Sequence, residues 1–184
     1  GVVDVSLFET AAAWMSLLAA HYLASGDIPG KQGSGANGIA PYRAYATRDS
    51  DLVVAAASDG LFRRLAQVLD HPEWVDDSRF STNPKRVENQ GVLYGLIEIE
   101  MAKRTNAEWI ALLEAAGIPC APVQNVAEMV AHEQTAALGL LQDVPDSRMK
   151  FIGLPVSFDG ERPALRSRPP ALGEHTHEVF NDAG

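Results

Sequence analysis

A glycine-rich segment at residues 26–38 constrains this sequence more than any other feature. It holds five glycines in thirteen residues, together with Pro29. Glycine loses more backbone entropy than any other residue when it is ordered, and proline lacks the amide donor that regular structure needs. We therefore predict a linker or a ligand-binding loop here, between a short apolar stretch and a longer mixed part of the chain.

One long helix is predicted before this segment, over residues 6–25. Ser6 is a good N-cap residue, and Glu9 three residues later completes a capping box. The large apolar side chains of this helix are Leu7, Phe8, Trp14, Met15, Leu18 and Tyr22. They point to nearly all sides, which is typical of a helix buried between other elements. Residues 1–5 are predicted to end a strand, as if the chain opened inside a longer protein.

The region after the glycine-rich segment has the pattern of a compact α+β unit. Two short stretches at 41–47 and 52–57, separated by a polar turn, predict a β-hairpin. A helix is predicted over 61–69, and a second, longer helix over 84–103. The inward face of the first of these helices would consist of Leu61, Leu65, Val68 and Leu69.

Local end signals define the elements that follow. Thr105 and Glu108 form a second capping box, and the helix that they start is predicted to end at Gly117. Residues 118–123 are predicted to be extended because they contain two prolines. Asn125 is the predicted cap of the next helix.

The remaining chain is predicted to form a short helix, three strands, a proline-rich arm and a terminal helix. The strands are expected at 140–145, 150–153 and 155–159. The whole layout predicts the α+β fold class. Its four parts are a helical part at 1–26, a linker at 27–39, a small domain at 40–140 and a returning tail at 141–184.

Composition excludes several classes of protein. The chain has 15 Lys+Arg against 24 Asp+Glu, a net charge of −9, which disfavours binding to nucleic acid. Its longest apolar run is too short to span a membrane. The single cysteine, Cys120, excludes an intrachain disulfide and fits a reducing compartment, so a cytoplasmic location is expected.

No active site can be predicted from residue spacing alone. His175 and His177 are the only close pair of histidines, and two residues apart on a helix they point in different directions, so no metal site is predicted. Cys120 has no nearby histidine and is interpreted as a buried structural thiol. Residues 33–38 resemble a dinucleotide-binding fingerprint but lack the strand before it and the helix after it.

Five blocks of the sequence, in order, resemble the class III CoA-transferases, the carnitine-dehydratase and bile-acid-inducible type that includes formyl-CoA transferase. The blocks are residues 3–11, 39–47, 71–80, 115–123 and 170–176. The resemblance implies that this chain is the C-terminal half of a longer protein. Residues 1–26 and the tail would then belong to a Rossmann-like CoA-binding domain, and 40–140 would form the small domain.

The same resemblance implies an activity and partners. An aspartate takes the acyl group of an acyl-CoA as a mixed anhydride, and CoA then passes to a second carboxylic acid. That aspartate lies upstream of this chain, so no catalytic residue is expected within it. No permanently bound cofactor is implied, since the CoA thioester is a substrate, and two chains are expected to interlock as a homodimer.

Two features of this chain are candidates for the CoA site. Gly33, Ser34 and Gly35 fall where formyl-CoA transferase has a glycine loop that closes over its active site, although a plain linker is the alternative. Asp59 lies where the related α-methylacyl-CoA racemases carry a Glu-Pro pair, and its alternative role is to cap a helix. A racemase-like isomerase and a non-catalytic interaction module stay open as alternative functions.

Overall fold

The computed structural model describes residue 2 and residues 4–182, so part of the strand end predicted at 1–5 lies outside the described residues. The chain forms two compact units, Gly1–Val123 and Gln124–Gly184. The division predicted at residues 26, 39 and 140 stays a prediction. Within the described residues, no helix is both long and apolar enough to cross a bilayer.

The predicted N-terminal helix is interrupted once. It consists of α1 (Leu7–Trp14) and α2 (Ser16–Ser25), with Met15 between them. The Met15 amide bonds to the Ala12 carbonyl, one residue closer than in an α-helix, and this tightens the turn and breaks the regular pattern. The predicted cap at Ser6 is confirmed. No residue of either helix is buried, so the predicted burial finds no partner among the residues that the structure describes.

The predicted β-hairpin is confirmed. Strand β1 (Tyr42–Ala46) pairs antiparallel with β2 (Asp51–Ala55), and the extended stretch after Gly117 adds β3 (Cys120–Pro122) on the other side of β2. This leaves β1 as an edge strand. One face of the sheet packs on the helices, and the core contains Tyr45, Leu52, Val54, Phe62, Leu65, Phe80, Leu93, Ile97, Met101, Trp109 and Leu113.

The helix predicted over residues 61–69 is present and differs from the prediction only in detail. Helix α3 (Asp59–Val68) buries Phe62, Leu65 and Ala66. The predicted inward residues Leu61 and Val68 pack against the core but are only half-buried, and the face also contains Phe62, which the prediction left out. Residue Leu69 is buried as predicted.

The helix predicted over 84–103 is broken at Asn89. It consists of α4 (Asn83–Glu88) and α5 (Gln90–Met101). The Lys85 carbonyl accepts from both the Asn89 side chain at 2.9 Å and the Asn89 backbone amide at 3.0 Å.

Helix α6 (Asn106–Ala115) has both predicted end signals. The capping box of Thr105 and Glu108 is present, and Gly117 follows with φ of +64°. Buried Asn106 also ties this helix to the hairpin turn, since its amide donates to the Asp49 carboxylate at 2.8 Å. That bond is the main reason that the pKa of Asp49 is lowered.

A pH-dependent contact joins two parts of the first unit. His71 lies 2.8 Å from Glu73 and 3.2 Å from Glu100, and its ring stacks on Trp74. The hydrogen bond with Glu73, followed by the interactions with Glu100, raises the pKa of His71 above its ordinary value. A raised pKa in the folded state stabilises the fold below the unfolded pKa, and this contribution is lost as the pH rises through the folded pKa.

We therefore expect the first unit to lose stability as the pH is raised from about 6 through the raised pKa of His71. Urea unfolding at a series of pH values should show this slope, and His71→Gln should flatten it. An unchanged slope in His71→Gln would contradict the assignment.

The second unit contains short elements. Helix α7 (Val126–Ala131) has the capping box of Asn125, which confirms the predicted cap, and α8 (Glu133–Ala137) follows it. Strands β4 (Leu141–Asp143) and β5 (Lys150–Ile152) pair antiparallel, and α9 (Thr176–Asp182) ends the described chain. The strand predicted at 155–159 is wrong. Only an isolated bridge joins Phe158 to Glu161, because Asp159 and Gly160 turn the chain with positive φ.

Candidate functional site

The glycine-rich segment lies along the free edge of β1. The Ser34 hydroxyl accepts a hydrogen bond from the Ala44 amide at 3.1 Å, and the Ala36 amide donates to the Tyr42 carbonyl at 3.1 Å. These bonds occupy polar groups that an edge strand would otherwise present to solvent. As predicted, this segment contains no helix or strand.

Gly35 lies at the tightest point of this loop. Its amide donates to the Gln32 carbonyl at 2.9 Å, and a Cβ added there would lie 3.1 Å from that carbonyl oxygen and 3.5 Å from the Tyr42 oxygen. A side chain at this position would therefore require the Gln32 carbonyl, within the loop, to shift by a few tenths of an ångström, whereas the Tyr42 oxygen is at ordinary contact distance.

We expect Gly35→Val to slow turnover of the full-length protein about tenfold, because a branched residue restricts a loop that must close. The free energy of unfolding should fall by no more than about 1 kcal/mol, since Gly35 is only half-buried and lies outside the hydrophobic core. Gly30→Val is the matched control, because a Cβ at Gly30 meets nothing within 4 Å. Equal rates for the two variants would mean that the segment acts only as a linker.

Asp59 is the first residue of α3, and its carboxylate is held by an arginine. The cap of this helix is Ser58, whose hydroxyl accepts from the Leu61 amide at 3.1 Å, so the interpretation of Asp59 as the helix cap is wrong. Asp59 Oδ1 instead accepts from Arg86 Nη2 at 2.8 Å. The Asp59 side chain is still 56% exposed.

Arg86 is the residue that sequence reasoning missed. It is fully buried, and it donates from Nε to the Ala40 carbonyl at 2.7 Å and from Nη1 to the Phe80 carbonyl at 3.0 Å. Its guanidinium also lies over the Phe62 ring, 4.6 Å from the ring centre. A buried cation needs such a complete set of acceptors. One arginine in a polar stretch gives no local signal of this role.

Arg86→Met should destabilise the first unit by about 3–5 kcal/mol, because two buried carbonyl groups lose their donor and an unmade buried hydrogen bond is costly. Chemical denaturation followed by tryptophan fluorescence would measure this loss. Arg79→Met is the control, since Arg79 pairs with Asp77 at the surface and its loss should have little effect. Similar losses in both variants would contradict this role of Arg86.

Asn83 completes the contacts that α4 makes with the glycine-rich segment. Its Oδ1 accepts from the Ala40 amide at 3.1 Å, and its Nδ2 donates to the Gly38 carbonyl at 2.9 Å. The structure therefore brings Asp59 and the end of the glycine-rich segment together through α4. Among the described residues, no hydrogen bond joins Asp59 directly to Gly33, Ser34 or Gly35.

An apolar cleft of about 500 Å³ lies between α2 and the glycine-rich segment. Its wall is formed by Leu17, Leu18, His21, Ala36, Asn37, Ile39 and Tyr42. Polar groups are sparse in this wall, so the cleft suits an apolar side chain or an acyl chain better than a charged group.

Other candidates for catalysis have little support. Burial, with a smaller effect of Glu114, raises the pKa of the Cys120 thiol, and so little thiolate forms at neutral pH. The side chain is half-buried, less enclosed than predicted. Within the part of the chain that the structure describes, no three His, Cys, Asp or Glu side chains come together as a metal site.

Comparisons with known proteins identify the family. The model of CoA-transferase family III matches residues 1–176. The chain is 38% identical to an acyl-CoA transferase of Fusarium pseudograminearum, over 99% of this chain and 41% of that protein. It is 28% identical to the succinyl-CoA:glutarate CoA-transferase of Homo sapiens, over 98% of this chain and 42% of that protein.

A solved structure supports the same assignment. The chain resembles a CAIB/BAIF family protein from Brucella suis with a TM-score of 0.78 and 30% identity, over 99% of this chain and 48% of that chain. This chain thus spans slightly less than half the length of the relatives that it matches. The family match covers nearly the whole sequence, and the chain belongs to CoA-transferase family III.

Proposed function

We propose that this chain is the C-terminal portion of an acyl-CoA:carboxylate CoA-transferase. The observation that carries the proposal is the family match over residues 1–176, together with relatives that are named as CoA-transferases and are about twice as long. The missing portion would supply most of the CoA-binding surface as a Rossmann-like domain.

The chemistry runs through an aspartyl mixed anhydride. An upstream aspartate attacks the thioester carbonyl, a C–O bond forms, the C–S bond breaks, and CoA leaves as the thiolate. The CoA thiolate attacks the aspartyl carbonyl of the anhydride, which releases the first acid and leaves an aspartyl-CoA thioester. The second carboxylate attacks this thioester, which releases the thiolate and forms a new anhydride. The thiolate then attacks the acyl carbonyl of this anhydride, which gives the new acyl-CoA and regenerates the aspartate. The reaction needs no net oxidant, reductant or permanently bound cofactor.

This chain would contribute residues that line the active site and shield it from water. An anhydride is destroyed by water, so a loop that closes over it protects the intermediate. Gly33, Ser34 and Gly35 are the proposed closing loop, and Asp59 is the proposed polar group beside it. In the full-length protein two interlocked chains would complete the site.

The racemase alternative predicts a different pair of residues at positions 59 and 60. Racemases of the superfamily use a glutamate before a proline for proton transfer, whereas this chain has Asp59 followed by Gly60. The names of the matched relatives also favour CoA transfer over isomerisation.

The experiment is a CoA-transfer assay on the full-length protein. Succinyl-CoA would be offered with glutarate and with other dicarboxylic acids, and new acyl-CoA species would be followed by liquid chromatography and mass spectrometry. We expect transfer to at least one acid, and its loss when the upstream aspartate is changed to alanine. Exchange of an α-proton of an acyl-CoA with D₂O, without transfer to any acid, would instead favour an isomerase.

A further inference from the structure

Helix α4 holds both backbone groups of Ala40. Asn83 and Arg86 are three residues apart and therefore lie on the same side of the helix. The Ala40 amide donates to Asn83 Oδ1 at 3.1 Å, and the Ala40 carbonyl accepts from Arg86 Nε at 2.7 Å. Asn83 also binds the Gly38 carbonyl at 2.9 Å. Three hydrogen bonds from one turn of helix therefore hold Gly38, the last residue of the glycine-rich segment, and Ala40 just after it.

The same arginine determines where the Asp59 carboxylate lies. Arg86 is fully buried, and Asp59 is the one acidic side chain within salt-bridge distance of it among the described residues. Moving Asp59 away would leave a buried cation without its counter-charge, which is strongly unfavourable. The Asp59 carboxylate, although 56% exposed, is therefore oriented by a cation that is itself buried.

We infer that Asn83 and Arg86 are positioning residues that keep the Asp59 carboxylate and the end of the glycine-rich segment in one fixed arrangement for the acyl-CoA site. This inference rests on the proposed function, in which the segment closes over the reacting thioester. Closure would then be confined to residues before Gly38, because residues 38–40 are attached to α4.

A purely structural role of Asn83 would give results different from those of a positioning role. If α4 only supported the core, loss of Asn83 would lower stability and leave the rate of the folded enzyme unchanged. A positioning role changes kcat, because a misplaced loop and carboxylate slow the reaction after the substrate has bound.

The test combines hydrogen exchange with kinetics on the full-length protein. Exchange at the Ala40 amide would be measured by mass spectrometry, and kcat and KM would be measured with succinyl-CoA. The variants are Asn83→Ala, Asp59→Ala and Asp59→Asn. Asn89→Ala is the matched control, because the Asn89 side chain bonds to the carbonyls of Lys85 and Arg79 and not to the glycine-rich segment.

We expect Asn83→Ala to speed exchange at Ala40 and to lower kcat, each about tenfold, with a change in KM of less than about threefold. Asp59→Ala should also speed exchange at Ala40, because it releases Arg86. Asp59→Asn keeps an acceptor for Arg86, so it should restore slow exchange. Asn89→Ala should change neither exchange at Ala40 nor kcat.

Two results would overturn the inference. One is unchanged exchange at Ala40 in Asp59→Ala, since Arg86 would then not couple the two features. The other is equal kcat for Asn83→Ala and Asn89→Ala in an active enzyme. If the wild-type protein transfers CoA to no acid while exchange at Ala40 responds as expected, the proposed function fails and the coupling through Arg86 is supported.

Discussion

The 184-residue chain assayed alone is expected to fold its first unit and to transfer no CoA. The first unit has its own core of sheet and helices, so folding does not need the upstream portion. The nucleophilic aspartate and most CoA contacts are expected upstream, and Cys120, the single thiol of the chain, has a raised pKa. A covalent route without its nucleophile loses many orders of magnitude in rate.

Circular dichroism would establish folding, and mass spectrometry would follow each acyl-CoA with time. Adding the separately expressed upstream portion is the positive control, since recovery of transfer would show that the chain itself is intact. Turnover by the chain alone, after enzymes of the expression host are excluded, would contradict the proposal that it is a catalytic fragment.

Elements with local end signals were predictable from the sequence. The capping box of Thr105 and Glu108 defines the start of α6 within its own first turn, and Gly117 defines its end with a positive φ. The hairpin follows from a polar turn between an alternating stretch and a short apolar stretch. These signals lie within a few residues of the structure that they predict.

Features that depend on distant contacts were not predictable. The 84–103 pattern continues through Asn89, where α4 gives way to α5 and the Asn89 side chain bonds to the Arg79 carbonyl ten residues away at 3.4 Å. Phe62, which the periodicity of α3 left out of the inward face, is buried with the Arg86 guanidinium over its ring. Neither contact can be inferred from the periodicity of one helix.

The residues of the candidate site were also predictable only in part. Gly33, Ser34, Gly35 and Asp59 were identified through resemblance to a family, and their roles in the reaction stay predictions. Arg86 and Asn83, which connect Asp59 to the glycine-rich segment, come from a stretch that reads as an ordinary polar helix start. The residues joined by these contacts are 27 to 46 positions apart in the sequence, and a local sequence motif cannot predict contacts over such separations.

The apolar surface of α1 and α2 is the basis of the last prediction. Trp14 is 84% exposed in the chain, and Leu7, Phe8, Leu17 and Leu23 are similarly exposed. Burying one such side chain contributes about 1.5–3 kcal/mol, so several together favour association strongly. Because the matched relatives are about twice as long, we expect the upstream portion of the same protein to cover this surface.

The chain alone should therefore self-associate, whereas the full-length protein should bury Trp14. Trp74 and Trp109 are already buried, so the part of the fluorescence that acrylamide quenches reports mainly on Trp14. In the full-length protein, Trp14→Phe should change the quenched fraction little, because Trp14 is covered, and the comparison removes the contribution of upstream tryptophans. Replacing Leu7, Phe8 and Trp14 together by glutamine should make the isolated chain monomeric in light scattering. The control is Ile99→Gln, because Ile99 is an exposed apolar residue on α5, and this variant should still self-associate. An isolated wild-type chain that stays monomeric, or a full-length protein in which Trp14 is still quenched, would show that the upstream portion does not cover this surface.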